Sequence, residues 1–358
     1  MNLTRRDYAL AMAGYKMAGL FRGFGDVESD VLRRRLRAIE IDRPVFVTGL
    51  ARSGTTLMLN LLASFEGVAT HRYRDFPFLW TPVTWSGFVS RFARERAPVE
   101  RPHRDWIKIT MESPDAFEEP IWQSFMPWLH DPERIQVLDS AHRAPDFEDF
   151  FRDHIRKIIL VRRGERYVSK GNYNVGRIGF LARVFPTARF VIPLRSPMGH
   201  VHSLVKQHRL FSGYADEDPR VSRYLRATGH YEFGPQRHAI NFGLGGAELA
   251  RAEWEADEEH AGYANMWAEV YGYVDGLRER SDLRDRLILV RYEDFCADPP
   301  ERFAAVRRFL ELDGVAPGLD EQVAGVSAPP DQASSVPQDT RQRVLEITGE
   351  VASRFGYA

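Results

Sequence analysis

The sequence contains one cysteine, Cys296, among its 358 residues, so the chain cannot form an intramolecular disulfide. It also lacks a cluster of Cys and His with the spacing of a zinc site, and no metal site is predicted. Both absences are typical of a reducing compartment, and we expect a cytoplasmic location. No run of about 18 apolar residues occurs, so no transmembrane helix is predicted.

An excess of charge of one sign is lacking too. The chain has 49 Lys and Arg against 50 Asp and Glu, a formal net charge of −1. Nucleic-acid binders usually carry a basic excess, so this class of partner is disfavoured, although a local basic groove stays compatible with neutrality. The length and the 44% hydrophobic content suit one large α/β domain with insertions, which we predict over residues 1–358.

The N-terminus has only a weak likeness to an export signal. Arg5 and Arg6 precede an apolar stretch, as in twin-arginine signals, but Lys16 and Arg22 interrupt that stretch and no clean cleavage site follows. We interpret residues 5–24 as an amphipathic helix within an N-terminal helical segment, residues 1–42. Secretion is the minor alternative.

A short β-rich run, a turn and a helical pattern recur along the chain, which predicts a parallel sheet flanked by helices. The clearest unit is a strand at 44–47, a turn at 49–56 and a helix at 57–64. In the second, a strand at 189–194 leads into a helix from Met198 to about Arg209. Further strands are predicted at 166–169 and 287–290. The fold class is therefore α/β with a P-loop-type sheet.

Two segments break this rhythm, residues 72–150 and residues 212–262. We interpret both as insertions over the sheet edge that form an acceptor pocket or a lid. Tryptophans are dense in the first one, and such residues more often form core than line a binding site, although an aromatic pocket would suit an apolar or sugar ligand. They are Trp80, Trp85, Trp106, Trp122 and Trp128.

The turn at 49–56 has the composition of an anion-binding loop. Two glycines permit a tight turn, and the following helix directs its first N–H groups toward the loop. Arg52 supplies a permanent charge, and two threonines add hydroxyl donors. A glycine turn that only joins a strand to a helix is the alternative. The candidate anion ligands are Arg52, Ser53, Gly54, Thr55 and Thr56.

The loop lacks the lysine that nucleotide triphosphatases require, because Thr55 stands in its place. No apolar strand ending in a magnesium-binding Asp accompanies it. An ATPase or GTPase is therefore disfavoured. A small-molecule kinase with a degenerate loop stays an alternative, and magnesium-dependent ATP binding would favour it.

A second strand-to-helix turn places Arg195 and Ser203 eight positions apart. Together with Ala51–Thr56, this pair resembles the two anion motifs of sulfotransferases that use 3'-phosphoadenosine-5'-phosphosulfate (PAPS). The family's first loop, P-[KR]-S-G-T-T, holds the 5'-phosphosulfate, and its Arg and Ser hold the 3'-phosphate. The resemblance implies that PAPS is the donor and that adenosine 3',5'-bisphosphate is the product. The absence of the loop lysine and of a magnesium-binding Asp predicts a metal-independent enzyme.

Two further segments extend the resemblance. Tyr292, in Arg-Tyr-Glu-Asp after an apolar run, matches the family's R-Y-E-D-L, whose Tyr contacts the adenosine. Lys170 matches a Lys of the tyrosylprotein sulfotransferases and their bacterial relatives, where it acts at the transferring group. Three positions depart from the family's pattern, so we expect fewer side chains to bind the 3'-phosphate, or ligands from the C-terminal segment to supplement them. The three positions are Ser196 for Asp, Met198 for Arg, and Gln207 for a cation.

The general base is the least determined residue. In the tyrosylprotein branch it is a Glu beyond the first loop, and here Asp75 has the corresponding position. His71 is the rival, and both residues have a structural alternative, as an ion-pair partner or a surface side chain. Glu118 and Glu119 are weaker candidates.

The resemblance implies sulfuryl transfer to a hydroxyl of a small molecule, sugar or glycolipid. A non-catalytic binding protein with the same fold is the alternative outside enzymes. His200, His202 and His208 are interpreted as solvated or capping residues. The loop at 334–338, before a final helix at about 338–355, is a candidate to close over the 3'-phosphate.

Overall fold

The computed structural model describes residues 1, 3–92, 98–103, 108–314, 317–328 and 333–357. Trp106 lies outside them. Five parallel strands form the central sheet in the order β2-β5-β1-β6-β7, and β3 and β4 form a separate antiparallel pair. The predicted α/β fold class is confirmed. The strands are β1 (Val45–Val47), β2 (Val68–Ala69), β3 (Val99–Glu100), β4 (Lys108–Ile109), β5 (Arg166–Lys170), β6 (Arg189–Leu194) and β7 (Leu287–Arg291).

Helices cover both faces of this sheet, and short 3-10 helices join several of them. The α-helices are α1 (Arg5–Lys16), α2 (Ala18–Arg37), α3 (Thr55–Leu62), α4 (Pro82–Phe92), α5 (Glu119–Phe125), α6 (Pro145–Arg162), α7 (Ile178–Val184), α8 (Pro197–Glu217), α9 (Arg220–Ala227), α10 (Gly246–Glu255), α11 (Glu259–Arg278), α12 (Tyr292–Ala297), α13 (Pro299–Leu310), α14 (Leu319–Ala324) and α15 (Gln338–Arg354). The 3-10 helices are Tyr73–Asp75, Pro127–His130, Asn172–Arg177, Arg284–Arg286 and Ala333–Ser335.

Strand β1 is buried on both faces, as expected for a central parallel strand. Phe46 packs on one side, where its ring stacks on Phe190 at 5.7 Å. Val45 and Val47 point to the other side, into a second core beneath α3 and α13. The period-2 alternation of a strand therefore assigns its three residues to two separate cores.

Several predicted helices occur with shifted ends. The helix after the first loop begins at Thr55, two residues earlier than predicted, so the loop threonines form its first turn. Helix α8 continues to Glu217, well past Arg209. Its extension buries Phe211, Tyr214 and Ala215, whose spacing of three and four residues keeps them on one helix face. The N-terminal segment is helical, as predicted, over α1 and α2.

The first insertion contributes both core and surface. Trp80 and Trp122 are buried, and the ring of Trp122 lies 4.2 Å from that of Phe147 in α6. These two tryptophans therefore stabilise the fold. Among the described residues, no helix has the length and apolar character needed to cross a membrane.

Candidate active site

The loop after β1 has an unusual backbone. Gly49, Arg52 and Gly54 all have positive φ angles, of 137°, 72° and 110°. A left-handed conformation is disfavoured for a residue with a side chain, so Arg52 is held there by its surroundings. Gly54 is the N-cap of α3 and has no side chain to cap it. The N–H groups of the first helical turn are therefore left for another acceptor.

Neighbouring elements hold this loop in place. The Thr48 hydroxyl donates to the Gly171 carbonyl at 2.7 Å, which links the loop to β5. His200 in α8 lies 2.8 Å from the Ala51 carbonyl through Nε2. Burial lowers the pKa of His200 to about 3, so the ring is neutral and this nitrogen donates. The interpretation of His200 as a solvated residue is wrong, because the tertiary fold encloses it completely.

The two predicted anion motifs are in direct contact. Arg52 Nε donates to the Ser203 hydroxyl at 3.4 Å, across 151 positions of sequence. Arg195 directly follows β6, and its guanidinium folds back over Gly199, where an added Cβ would lie 3.4 Å from Nη2. Parallel strands β1 and β6 are neighbours, so the turns that follow them meet at one sheet edge.

Tyr292 lies between these motifs. It begins α12, directly after β7, and its ring is 5.4 Å from the Arg195 guanidinium. A Cβ added to Gly54 would approach the Tyr292 ring to 2.9 Å. The absence of a side chain at Gly54 therefore allows the ring to pack against the loop. A half-buried aromatic face beside two cationic motifs has the chemistry to stack on a nucleobase.

Lys170 reaches the same edge from the end of β5 and is only 9% exposed. Burial lowers its pKa, and the positive charges of Arg101 and Arg52 act in the same direction. The carboxylates of Asp115 and Glu232 oppose them. Three cations thus meet beside the loop with two acidic groups among them.

An asparagine connects the loop to one of these acids. Thr55 Oγ1 donates to Asn172 Oδ1 at 3.5 Å, and Asn172 Nδ2 donates to Glu232 Oε1 at 2.9 Å. Burial would raise the pKa of Glu232, but its contacts with His230 and Asn172 lower it to about 2. Glu232 is therefore an ionised, 3% exposed group that orients Asn172 toward the loop.

The first insertion contributes one cation, Arg101, and one neutral ring, His103, to this side of the site. Arg101 is 6% exposed and acts electrostatically on Lys170, Asp115 and His103. His103 Nδ1 lies 2.8 Å from Gln207 Oε1. Gln207 stands at the position where the resemblance predicts a cation in some families. Burial, with Arg101 and Arg52, lowers the pKa of His103 to about 3. At neutral pH this ring is uncharged.

A cleft of about 230 Å³ opens beside the first helical turn of α3. Asp115 is the carboxylate among its lining residues. Burial would raise the pKa of Asp115, but Lys170 and the Tyr73 hydroxyl outweigh this effect and keep it below the usual range. Nine of the twelve lining residues carry a polar or charged side-chain group. The lining comprises Thr56, Asn60, Ala63, Ser64, Tyr73, Arg101, Lys108, Ile109, Ser113, Pro114, Asp115 and Gln322.

Asp75 and His71 have other partners. The Asp75 carboxylate accepts two hydrogen bonds from Arg162 in α6, both at 2.5 Å, and one from the Arg72 N–H at 2.8 Å. His71 Nε2 lies 3.1 Å from His154 Nε2, and burial lowers the pKa of His71 to about 4. Both side chains are almost completely buried. This environment gives them a structural role.

The pair Glu118 and Glu119 is likewise engaged inside the protein. Glu118 accepts hydrogen bonds from Tyr167 at 2.6 Å and Asn174 at 2.9 Å. Glu119 forms an ion pair with Arg177 at 2.7 Å.

The two remaining histidines of α8 have protein partners. His202 Nδ1 lies 3.4 Å from His260 Nε2, and His208 Nε2 lies 3.8 Å from the Glu259 carboxylate. Within the described ranges, no group of His, Cys, Asp and Glu has the arrangement of a metal site.

Arg101, Asp115, Asn172 and Glu232 were not among the residues predicted from the sequence. Asn172 lies two positions after Lys170, so its closeness in sequence to a predicted site residue could have identified it. Asp115 lies three positions before Glu118, in a segment considered for its acids. Arg101 and Glu232 carry no local motif, because the insertions reach the site only through the tertiary fold.

Comparisons with known proteins place the chain in one family. The model of the Sulfotransferase family matches residues 44–239. The sulfotransferase STF9 from Mycobacterium avium is similar in structure, with 13% identity, a TM-score of 0.51, and coverage of 92% of this chain and 82% of that one. The sulfotransferase STF1 from Mycobacterium tuberculosis has 14% identity and a TM-score of 0.47, covering 96% and 92%. No curated protein sequence matches the chain at a significant level.

Proposed function

Because the chain belongs to the sulfotransferase family, we propose that it transfers a sulfuryl group from PAPS to a hydroxyl of a polar acceptor. The observation that carries the proposal is the contact between Arg52 and Ser203. It joins the two motifs that would bind the phosphosulfate and the 3'-phosphate of one donor.

The residues at the sheet edge fit this donor. Arg52, Thr55, Thr56 and the first N–H groups of α3 would hold the 5'-phosphosulfate, because they combine a guanidinium, hydroxyls and a helix N-terminus. Arg195 and Ser203 would hold the 3'-phosphate, and Tyr292 would stack on the adenine. We also propose that residues Ala333–Ser335, which contact α8, supplement the 3'-phosphate site.

Sulfuryl transfer requires positive charge at the leaving oxygen and a base for the acceptor proton. When bound, the donor supplies a sulfuryl group whose bond to the 5'-phosphate oxygen is the one that breaks. Lys170 and Arg52 would stabilise the charge that develops on that oxygen. Lys170 is almost completely buried and Arg52 is half-buried, which strengthens the effect, since electrostatic interactions are less screened away from water.

We propose Asp115 as the general base in place of Asp75 or His71. Asp115 lines the cleft beside Thr56 and interacts with Lys170, whereas Asp75 is engaged by Arg162. With its pKa below the usual range, Asp115 is ionised at neutral pH and has a vacant proton site. The acceptor hydroxyl becomes more acidic as its oxygen bonds to sulfur, so the proton moves to Asp115 late in the reaction.

The cleft also limits the class of acceptor. Its described lining offers amide and hydroxyl groups from Asn60, Ser64, Ser113 and Gln322, and the buried tryptophans do not take part. Charged groups come from Arg101, Lys108 and Asp115. Such a surface suits a polyhydroxylated molecule, such as a sugar or the head group of a glycolipid, better than a sterol or a simple phenol. The single cysteine supports a cytoplasmic location.

Titration calorimetry with adenosine 3',5'-bisphosphate tests the donor site. We expect saturable, magnesium-independent binding, and a loss of at least tenfold in affinity for Arg52→Ala and for Arg195→Ala, or about 1.4 kcal/mol each. Arg308→Ala is the matched control, because its side chain is 67% exposed on α13. Absence of binding at millimolar ligand, or equal affinity in all variants, would refute the proposal.

A further inference from the structure

Five exposed apolar side chains form one stripe along α2 and its junction with α1, here called the α2 stripe. Their spacing of three and four residues keeps them on a single helix face over about 21 Å. Single exposed apolar residues are common on protein surfaces, but a continuous row is not. The stripe comprises Met17, Leu20, Phe24, Val27 and Val31, which are 47%, 49%, 50%, 61% and 79% exposed.

The fold itself does not use this face of α2. A different face packs on the body of the protein, where Phe21 stacks on Trp80 at 5.6 Å. On the same packed face, Lys157 donates to the Gly25 carbonyl at 2.6 Å, and Glu28 accepts from the Thr84 N–H at 2.6 Å. Helix α2 is therefore anchored without its stripe, which stays available to a partner.

Basic residues flank the stripe at both ends. Lys16 precedes it, and Arg34 and Arg35 follow it, all three exposed. Residues 16–37 contain six Lys and Arg against three Asp and Glu. Of these acids, Asp30 is paired with Arg33 at 2.6 Å and Glu28 with Lys157 at 3.4 Å. The segment is positively charged, unlike the nearly neutral chain as a whole.

This charge decides between the two occupants that an apolar helix face can have. In a symmetric dimer, two positively charged segments would meet across a small interface, of the order of 1,000 Å², at the lower limit for a stable complex. An anionic lipid surface complements both features, because the apolar row enters the acyl boundary and the basic ends meet the head groups. Each Lys or Arg near such a surface strengthens the attraction to the anionic head groups.

We propose that the α2 stripe is a docking surface for an anionic lipid bilayer, with α2 lying in the plane of the interface. The proposal depends only on α1 and α2 and is independent of the sulfuryl-transfer chemistry. Binding of this kind is peripheral and reversible, and it requires no membrane-spanning helix.

Co-sedimentation of the full chain with vesicles tests this proposal. We expect binding to vesicles of equal parts phosphatidylglycerol and phosphatidylcholine, and at least tenfold weaker binding to phosphatidylcholine alone. The triple variant Phe24→Ser/Val27→Ser/Val31→Ser should bind at least tenfold more weakly, as should Arg34→Glu/Arg35→Glu. The matched control is Leu244→Ser/Leu249→Ser/Leu345→Ser, at residues 58%, 56% and 45% exposed elsewhere on the surface, and it should bind as the parent does.

Three outcomes would overturn the proposal. They are failure of the parent chain to sediment with anionic vesicles, equal binding to neutral vesicles, and equal loss in the control variant. Light scattering after size exclusion distinguishes the competing occupant. A dimer that the triple variant converts to a monomer, without vesicle binding by the parent, would assign the stripe to a second copy of the chain. Cooperative urea unfolding with an unchanged midpoint would show that the variants are folded.

Discussion

At the scale of single residues, the site depends on charges that are coupled through burial. Lys170, Arg101 and Arg52 each affect their neighbours because little water separates them, and Asp115 and Glu232 offset the repulsion. A substitution that removes Asp115 or Glu232 therefore lowers the pKa of Lys170 further, and removal of either arginine raises it.

We expect Lys170→Ala and Asp115→Asn to lower turnover by at least 100-fold, with less than threefold change in affinity for adenosine 3',5'-bisphosphate. The reason is that both groups act on charge that develops during transfer. Release of this product from PAPS with a panel of sugar acceptors measures turnover, and calorimetry measures affinity. An equal loss of affinity and turnover for Lys170→Ala would contradict its role in the transition state.

Gly54→Ala tests the close approach of Tyr292 to the loop. The new Cβ would lie 2.9 Å from the ring, at a φ of 110° that side chains rarely adopt. We expect a loss of about 1–3 kcal/mol in the free energy of unfolding, measured with urea, and at least tenfold weaker product binding. Gly213→Ala in α8 is the control, since no described atom lies within 4 Å of its Cβ, and it should be neutral or stabilising.

At the scale of elements, a buried ion pair joins α6 to the 3-10 helix Tyr73–Asp75. Arg162 and Asp75 are 4% and 3% exposed, and Arg162 also donates to the Thr70 carbonyl at 3.0 Å. This joint positions the segment that runs from β2 toward the cleft, including Tyr73. The conformation of the acceptor side thus depends on a contact well outside the donor loops.

Asp75→Asn should cost about 3–5 kcal/mol of unfolding free energy, because it leaves the Arg162 charge buried with a neutral partner. The control is Asp149→Asn, on the exposed side of α6, the helix that carries Arg162. It should cost at most about 1 kcal/mol, because the Asp149 side chain is 85% exposed. Urea unfolding measures both. If Asp75→Asn kept its stability and lost only turnover, the structural role of Asp75 would be incorrect and it would return as a candidate base.

At the scale of the whole molecule, buried neutral histidines couple stability to pH. Burial lowers the pKa of His71 to about 4 and holds that of His154 well below its usual range. The unfolded chain takes up protons below about pH 6.5, whereas these folded residues do not. Their stabilising contribution is therefore complete above pH 6.5 and is lost progressively as the pH falls toward 4.

We expect the free energy of unfolding to fall between pH 7.5 and pH 5.0 by about 2 kcal/mol for each of these two histidines. In the double variant His71→Leu/His154→Leu this part of the pH dependence should disappear, since replacement of both partners removes the titrating pair and leaves no unpaired group. Urea titrations at the two pH values measure the difference. Parallel losses in parent and variant would exclude the pair as a source of acid sensitivity.

The sequence by itself determined the α/β class and the two strand–turn–helix units, because a short apolar strand, glycines and a helix-starting threonine or proline are local signals. It also indicated the family, through Ala51–Thr56, Arg195 and Ser203. The roles of these residues, and of Lys170 and Tyr292, stay predictions until binding is measured.

Only the tertiary structure decided which acids and bases surround the loop. Asp75 follows the first loop in sequence, yet its carboxylate accepts hydrogen bonds from Arg162, 87 positions away. Asp115, Arg101 and Glu232 come from insertions without a recognisable motif, and long-range packing brings them to the loop. A local sequence pattern predicts the backbone conformation that an anion site needs. The ion-pair partner of a buried charge cannot be predicted in this way, because the two residues meet only when the chain has folded.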